Sequence, residues 1–174
     1  MENEKRVFVN LNIKQPDQTP STFDDIEVGE YFLDSKYDEA TLFMKLGNCA
    51  VVISSRSVDP KKGRGKRWMD RKFNTIIPVK KITFYPFINF AGLKYNTDKN
   101  EEFPFDMTTR ENLSQGDAFI YRHTLFLYSL DSGLYKAIKL YGEPGFGDDD
   151  DIAFMIHPDT TVMKLYELTI EIKI

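Results

Sequence analysis

Two short segments concentrate the residues able to do chemistry in this chain. In DPKKGRGKRWMDRKF, Lys61, Lys62, Arg64, Lys66, Arg67, Arg71 and Lys72 surround Gly63 and Gly65, with Trp68 and Phe73 interleaved. Long cations reach phosphates and an aromatic ring stacks on a base, so this extended hairpin tip or loop suits nucleic acid; an acidic protein surface would attract it equally. A solvated loop without a specific partner is the plain alternative. The Gly-x-Gly pair is not followed by the G-K-[S/T] of a P-loop. The second segment, GEPGFGDDDDI at Gly142 to Ile152, ends in the compact anionic run Asp148, Asp149, Asp150 and Asp151. Such a run can bind a hard cation, meet a basic protein surface or imitate phosphates. It lacks the alternating ligands and distal glutamate of an EF-hand, which favours a solvated loop over a metal site.

Catalytic options are thin. His123 sits beside Arg122 in a strand or turn and His157 precedes Pro158; both read as structural. Cys49, in GNCAVVI, enters an apolar strand and reads as a small buried hydrophobe rather than a nucleophile. One cysteine and two histidines make neither a cysteine-based zinc site nor a multi-histidine metal centre, and no Ser-His-Asp or Cys-His signature is legible. The carboxylate pairs Asp24/Asp25 and Glu101/Glu102 lie at turns, where they solvate or cap. The expectation is a chain without catalytic residues, metal or cofactor.

The elements that must carry these segments are short and repeated. With 174 residues, 41% hydrophobic and 14% aromatic, the chain has apolar surface enough to fold and a composition that suits strands. Phe23 to Leu33 (FDDIEVGEYFL) and Arg110 to Ile120 (RENLSQGDAFI) align without gaps, pairing Asp24 with Glu111, Ile26 with Leu113, Gly29 with Gly116, Glu30 with Asp117, Phe32 with Phe119 and Leu33 with Ile120. In each copy the pattern is that of a turn delivering the chain into a strand, where the glycine can take φ > 0 and the apolar residue ahead of it can pack beneath. Each half then offers an aliphatic and aromatic segment ending in lysine, LFMK at Lys45 and GLYK at Lys136. Each closes with a similar stretch, Ile76 to Ile82 and Ile156 to Val162, aligning Pro78 with Pro158. Further runs suit short strands: Thr41 to Leu46, Ala50 to Ser54, Thr124 to Ser129, Leu134 to Leu140 and Ile152 to Ile156.

The expected fold is therefore mainly β: two tandem small antiparallel barrel-like, SH3-like units. The division is 1–20, N-terminal strand and lead-in loop; 21–84, first unit with its basic loop 59–73; 85–109, aromatic-rich connector packing across the units; and 110–174, second unit with its acidic loop 142–151. Val7, Val9, Leu11 and Ile13 alternate with polar positions at one end of the chain, as Leu168, Ile170, Ile172 and Ile174 do at the other, so the two terminal strands are expected to pair and bring the termini together. The net charge of −4 hides a polarity. Residues 1–94 hold 16 Lys and Arg against 12 Asp and Glu, and residues 95–174 hold 7 against 15.

The spacing F-x-D-I-x-x-G-E-x-F, a lysine-bearing strand and a later Pro-x-x-x-[V/I] stretch resemble a unit found in small proteins of tailed bacteriophages. It is carried by Ile26, Gly29, Glu30, Phe32, Lys45, Pro78 and Ile82, and again by Leu113, Gly116, Asp117, Phe119, Lys136, Pro158 and Val162. The resemblance implies small β-barrel units of viral or mobile-element origin and transfers no catalytic residue. The basic insertion after Asp59 departs from it. Together with the charge asymmetry, it leads to a non-enzymatic protein that binds a host or viral protein through its loops, in its most specific version an inhibitor of a host defence or nucleic-acid-processing protein. The alternatives are a nucleic-acid-binding protein using the basic loop, and a virion or assembly component. The opposite charges of the halves also allow oligomers. Mixed charge at Met1 to Gln15, without an apolar signal or spanning stretch, predicts an intracellular protein with no membrane partner; the resemblance implies the cytoplasm of a bacterial host cell.

Overall fold

A computed structural model describes residues 8–14, 21–34, 41–55, 63–69, 73, 76–86, 105–141 and 152–174. Its fourteen strands are β1 (Phe8–Lys14), β2 (Tyr31–Asp34), β3 (Thr41–Lys45), β4 (Cys49–Ser55), β5 (Arg67–Met69), β6 (Ile76–Pro78), β7 (Lys81–Pro86), β8 (Phe105–Thr109), β9 (Ala118–Tyr121), β10 (Thr124–Tyr128), β11 (Ala137–Tyr141), β12 (Ala153–Phe154), β13 (Thr161–Leu165) and β14 (Glu167–Lys173). Three 3-10 turns and no α-helix accompany them among the described residues, so the protein is mainly β.

The strands form three sheets, ordered β5-β4-β3-β2-β6, β12-β11-β10-β9-β13-β8 and β1-β14-β7. In each of the first two, four consecutive strands make an antiparallel meander and a later strand returns to lie beside the first, the order expected of an SH3-like unit. Among the described residues no pairing joins the outer strands to close either sheet.

The repeat is written in hydrogen bonds as well as in residue types. Gly29 N–H donates to Lys45 O, and Lys45 N–H to Glu30 O; Gly116 N–H donates to Tyr128 O, and Tyr128 N–H to Asp117 O. Glu30 accepts from Glu27 N–H through its carboxylate, as Asp117 does from Ser114 N–H. The glycines hold φ of +90° and +83°, a region open to glycine at little cost, and Ile26 and Leu113 are buried beneath the turns. Phe32 stacks on Phe43 and Phe119 on Phe126, each at 5.4 Å between centroids, and the strand carrying the second ring is bulged just before it in both units.

Two parts of the sequence alignment change. Ile76, Ile77 and Pro78 pair with Ser21, Leu33 and Phe32, while Val162, Met163 and Lys164 pair with Thr108, Ile120 and Phe119. The equivalent of Pro78 in the second unit is thus Lys164; Pro158 lies in the preceding turn, where its carbonyl accepts from Glu111 N–H. Likewise the position of Lys45 is filled in the second unit by Tyr128, and Lys136 lies in the β10–β11 connection, so β11 starts at Ala137 rather than Leu134. The substitution is reciprocal. Lys45 Nζ donates to Phe23 O and Ile26 O at 2.9 and 2.7 Å and lies 4.5 Å from the Phe23 ring centre. In the second unit the cation is Arg110, in the place of Phe23, and its Nη1 approaches the Tyr128 hydroxyl at 3.4 Å.

Both faces of the central strands are buried. One face of each unit builds its own small core, around Phe32, Phe43, Ala50, Val52 and Ile76 in the first and Phe119, Phe126, Ala137 and Val162 in the second. The opposite faces meet in a single shared core of Leu33, Leu42, Val51, Ile120, Leu125 and Ile138, into which β14 inserts Leu168, Ile170 and Ile172, followed by Ile174 just past its end. A sheet covered on both sides needs apolar residues at every position, which is why TLFMK and TLFLY do not alternate.

The terminal strands do pair, in register from Phe8 with Glu167 to Lys14 with Lys173, but in parallel. Residues 8 and 173 therefore stand at opposite ends of seven-residue strands, about 20 Å apart, so the pairing itself does not bring them together; residues 1–7 lie outside the described residues. The side chains of β1, including its expected apolar face, and connector residues 87–104 lie outside the described residues. No helix among the described residues is long and apolar enough to cross a membrane.

Candidate interaction surface

The two charged segments occupy the same place in the two units. The connection from β4 to β5 is residues 56–66 and that from β11 to β12 is residues 142–152, equal in length; the first carries five Lys and Arg with one Asp, the second five carboxylates and no cation. Their ends are in register: Val52 N–H donates to Lys66 O, and Lys139 N–H to Ile152 O.

The end of each loop rests on the glycine turn of the other unit. A Cβ on Gly116 would lie 2.8 Å from Arg64 O, and one on Gly65 2.6 Å from Gln115 Nε2 and 2.9 Å from Tyr128 O. A Cβ on Gly29 would lie 3.1 Å from Ile152 Cδ1. The contacts run in both directions between equivalent elements, as an approximate two-fold relation between the units requires. Tyr31 adds a further tie across the junction, its hydroxyl donating to Leu140 O at 2.9 Å, and enclosure there pushes the phenol pKa well above its usual value.

Around Arg64 the junction is polar. Ser129 Oγ donates to Gly65 O at 2.6 Å, Gln115 Nε2 donates to Arg64 O, Gln115 Oε1 accepts from Leu130 N–H, and Asp131 Oδ2 accepts from Arg67 N–H. Burial pulls the Arg64 guanidinium below its usual pKa, against the pull of Asp117, whose buried carboxylate lies 3.3 Å from Lys164 Nζ. Of the eight expected basic-loop residues, Arg64 is thus a half-buried part of the junction. Trp68 turns inward onto Phe43 and Phe73, at 5.5 and 6.2 Å between centroids. Its neighbours Lys66, Arg67 and Met69 are exposed. Lys61, Lys62, Arg71 and Lys72, and the acidic run Asp148, Asp149, Asp150 and Asp151, lie outside the described residues.

Sequence reasoning missed the connection that frames this surface. β3 and β4 are joined by Leu46, Gly47 and Asn48, whereas β10 and β11 are joined by residues 129–136, which form a 3-10 turn at Leu130–Ser132 seated beside β5 through Asp131. This insertion places Leu130, Leu134 and Tyr135 in solvent, 51%, 76% and 56% exposed. The structural equivalences reveal it, since the offset between the units rises from 83 residues at Lys45 and Tyr128 to 87 at Val52 and Lys139.

The remaining candidates are separate from it. Cys49 is buried and unpaired by any disulfide. Arg122 and His123 form the two-residue tip between β9 and β10, both at positive φ (+47° and +59°), with the Arg122 guanidinium 5.2 Å from the Tyr121 ring centre. His157 is exposed, 3.6 Å from the Asp159 carboxylate. Asp25 caps the first turn by accepting from Thr22 N–H and Oγ1, which lowers its pKa. Among the described residues no group of three or more His, Cys, Asp or Glu is placed to hold a metal ion. No protein-family model, curated protein or solved structure matches the chain.

Proposed function

We propose that the chain is a non-enzymatic binding protein that acts on a protein partner through the loops of its two units. The observation that carries this reading is the equal length and opposite charge of the β4–β5 and β11–β12 loops at equivalent positions on a tightly joined scaffold. Rigid strands bearing variable loops are the usual way a fold without internal chemistry makes a recognition surface. The resemblance to tailed-phage units supports a viral or mobile-element origin, and with it a host defence or nucleic-acid-processing protein as the target. Two observations weigh against binding of nucleic acid: one side of Trp68 packs, tilted, against Phe43 and Phe73 of the first unit, and Arg64 belongs to the unit junction.

Affinity capture of the tagged chain from a bacterial lysate at moderate salt, with mass-spectrometric identification, tests the reading. A stoichiometric protein lost on the double substitution Lys62→Glu and Lys66→Glu is the expected result. Absence of such a protein, or recovery only of nuclease-sensitive material, would remove the reading.

A further inference from the structure

We propose that the protein partner is seated on β5 and the inserted β10–β11 connection, and that it presents there an acidic segment carrying a bulky apolar side chain. This rests on the reading of the chain as a protein-binding scaffold and gives that reading a surface and a ligand chemistry. The inserted residues are not needed to close their hairpin, since the first unit does so with Leu46, Gly47 and Asn48 alone. Nor do they serve the interior: Leu130, Leu134 and Tyr135 belong to none of the three apolar cores and stand in solvent. Apolar side chains gathered on one exposed element mark an interaction site.

The element is held in shape before anything binds. Ser129 N–H donates to Lys136 O across its base, Gln115 Oε1 accepts from Leu130 N–H, and Asp131 Oδ2 accepts from Arg67 N–H. Gly133, at φ +62° and ψ −125°, fixes the bend in a conformation that a residue with a side chain adopts only under strain. A surface ordered in advance loses little freedom on binding. Strand register adds β5 to it. Arg67 pairs with Val51 and Met69 with Cys49, so both side chains stand on the Val51 face, toward the shared core and the second unit, while Trp68 pairs with Ala50 on the face of the first unit's own core. Charge then selects the ligand. Among residues 66–69 and 129–136 the cations are Lys66, Arg67 and Lys136, and the one carboxylate is Asp131, an oxygen of which Arg67 N–H already engages. A segment bearing carboxylates meets these cations with complementary charge, which steers and orients it, and an apolar side chain on that segment buries against Leu130, Leu134, Tyr135 and Met69.

Selection of a random peptide library displayed on yeast against the purified full chain tests the inference. The expected peptides join an aromatic or aliphatic residue to neighbouring Asp or Glu. A synthetic peptide of the enriched sequence, followed by fluorescence anisotropy, should bind less tightly as salt rises from about 0.1 M to about 1 M and the screening length falls from about 10 Å to about 3 Å. Leu134→Ser, and separately Arg67→Glu with Lys136→Glu, should each weaken that peptide about tenfold with circular dichroism unchanged. Gly133→Ala, which keeps every contacting side chain and disturbs only the bend, should weaken it as well, whereas Met107→Ser, at an exposed methionine of β8, should not. No enrichment, enrichment of basic or uncharged peptides, or binding indifferent to the Leu134 and charge-reversal variants would overturn the inference. So would self-association of the chain in sedimentation velocity that Leu134→Ser abolishes, since the occupant would then be a second copy. A protein captured from lysate equally well by these variants would remove this seat and leave the binding-protein reading standing; capture of no protein would remove both.

Discussion

Three glycines at positive φ separate the cost of backbone strain from the cost of prying the units apart. Gly47, at φ +101°, has nothing within 4 Å of where a Cβ would stand, so Gly47→Ala carries only the left-handed penalty of about 1–2 kcal/mol, partly offset by the reduced freedom of the unfolded chain. Gly29→Ala adds a contact at 3.1 Å with the tip of the Ile152 side chain, which can turn aside at small cost. Gly116→Ala drives a methyl to 2.8 Å from the Arg64 carbonyl oxygen, 3.0 Å from its Cβ and 3.3 Å from its carbonyl carbon, and backbone does not turn aside. Overpacking of this kind costs about 1–3 kcal/mol, so Gly116→Ala should destabilise the chain by about 3 kcal/mol against roughly 1 for Gly47→Ala. At this size each kcal/mol moves the melting temperature by about 2–4 °C, so the two variants should differ by several degrees in calorimetry and in urea midpoint. The Ser129→Ala variant, which removes the hydroxyl bonded to Gly65 O, should be less than additive with Gly116→Ala because both loosen the same contact. Equal losses for Gly116→Ala and Gly47→Ala, within about 0.5 kcal/mol, would refute the seating of Arg64 and Gly65 on the second unit.

Other perturbations report on single features. Lys45→Met leaves the carbonyls of Phe23 and Ile26 without their ammonium donor and should cost about 2–3 kcal/mol in urea unfolding; adding Phe23→Arg to Lys45→Tyr, the arrangement of the second unit, should recover more than Phe23→Arg and Lys45→Tyr predict separately. Replacing Arg122-His123 by Asn-Gly, which suits a two-residue turn with both φ positive, should stabilise the chain by about 1 kcal/mol, read as a higher melting temperature. Tyr31 keeps its proton in the folded state above pH 10.0, where the unfolded phenol loses it, so native stability should fall as pH rises past that value; in Tyr31→Phe, which forfeits the bond to Leu140 O, this alkaline decline should be shallower.

The glycine turns were legible because their requirement is local: a left-handed residue, a carboxylate after it and an apolar residue three before it can be read from Ile26-Glu27-Val28-Gly29-Glu30 alone. The face of β14 was legible for the same reason, since Leu168, Ile170, Ile172 and Ile174 alternate and all are buried. Where one residue type stood for a position, reading failed. Pro158 drew the last segment six residues out of register, because the place of Pro78 requires only a residue able to pair beside Phe32, and Lys164 does so in the second unit beside Phe119. Lys136 was matched to Lys45 by type although the equivalent position, Tyr128, keeps the contact by exchanging cation and ring with its partner. The shared core was present in the unbroken apolar runs of β3 and β10, but burial on both faces shows in a run without saying what covers the second face. Of the candidate surface, the cations were visible and the seating of Arg64 and the inward turn of Trp68 were not, for both depend on the opposite unit or on a distant strand.

The position of β14 bears on how the chain acquires its structure during synthesis. Residues 167–173 lie between β1, some 160 residues earlier, and β7, and their apolar side chains fill the space between the two units. Until that segment has left the ribosome, Leu33, Leu42 and Val51 of the first unit lack part of the cover they have in the finished protein. The glycine turns and hairpins can form early, from neighbours, whereas consolidation waits for the last strand and for a loop closure spanning nearly the whole chain. Folding should therefore be slow and all-or-none, and ribosome-bound chains stopped before Glu167 should be protease-sensitive in both units, acquiring protection in both together once β14 emerges.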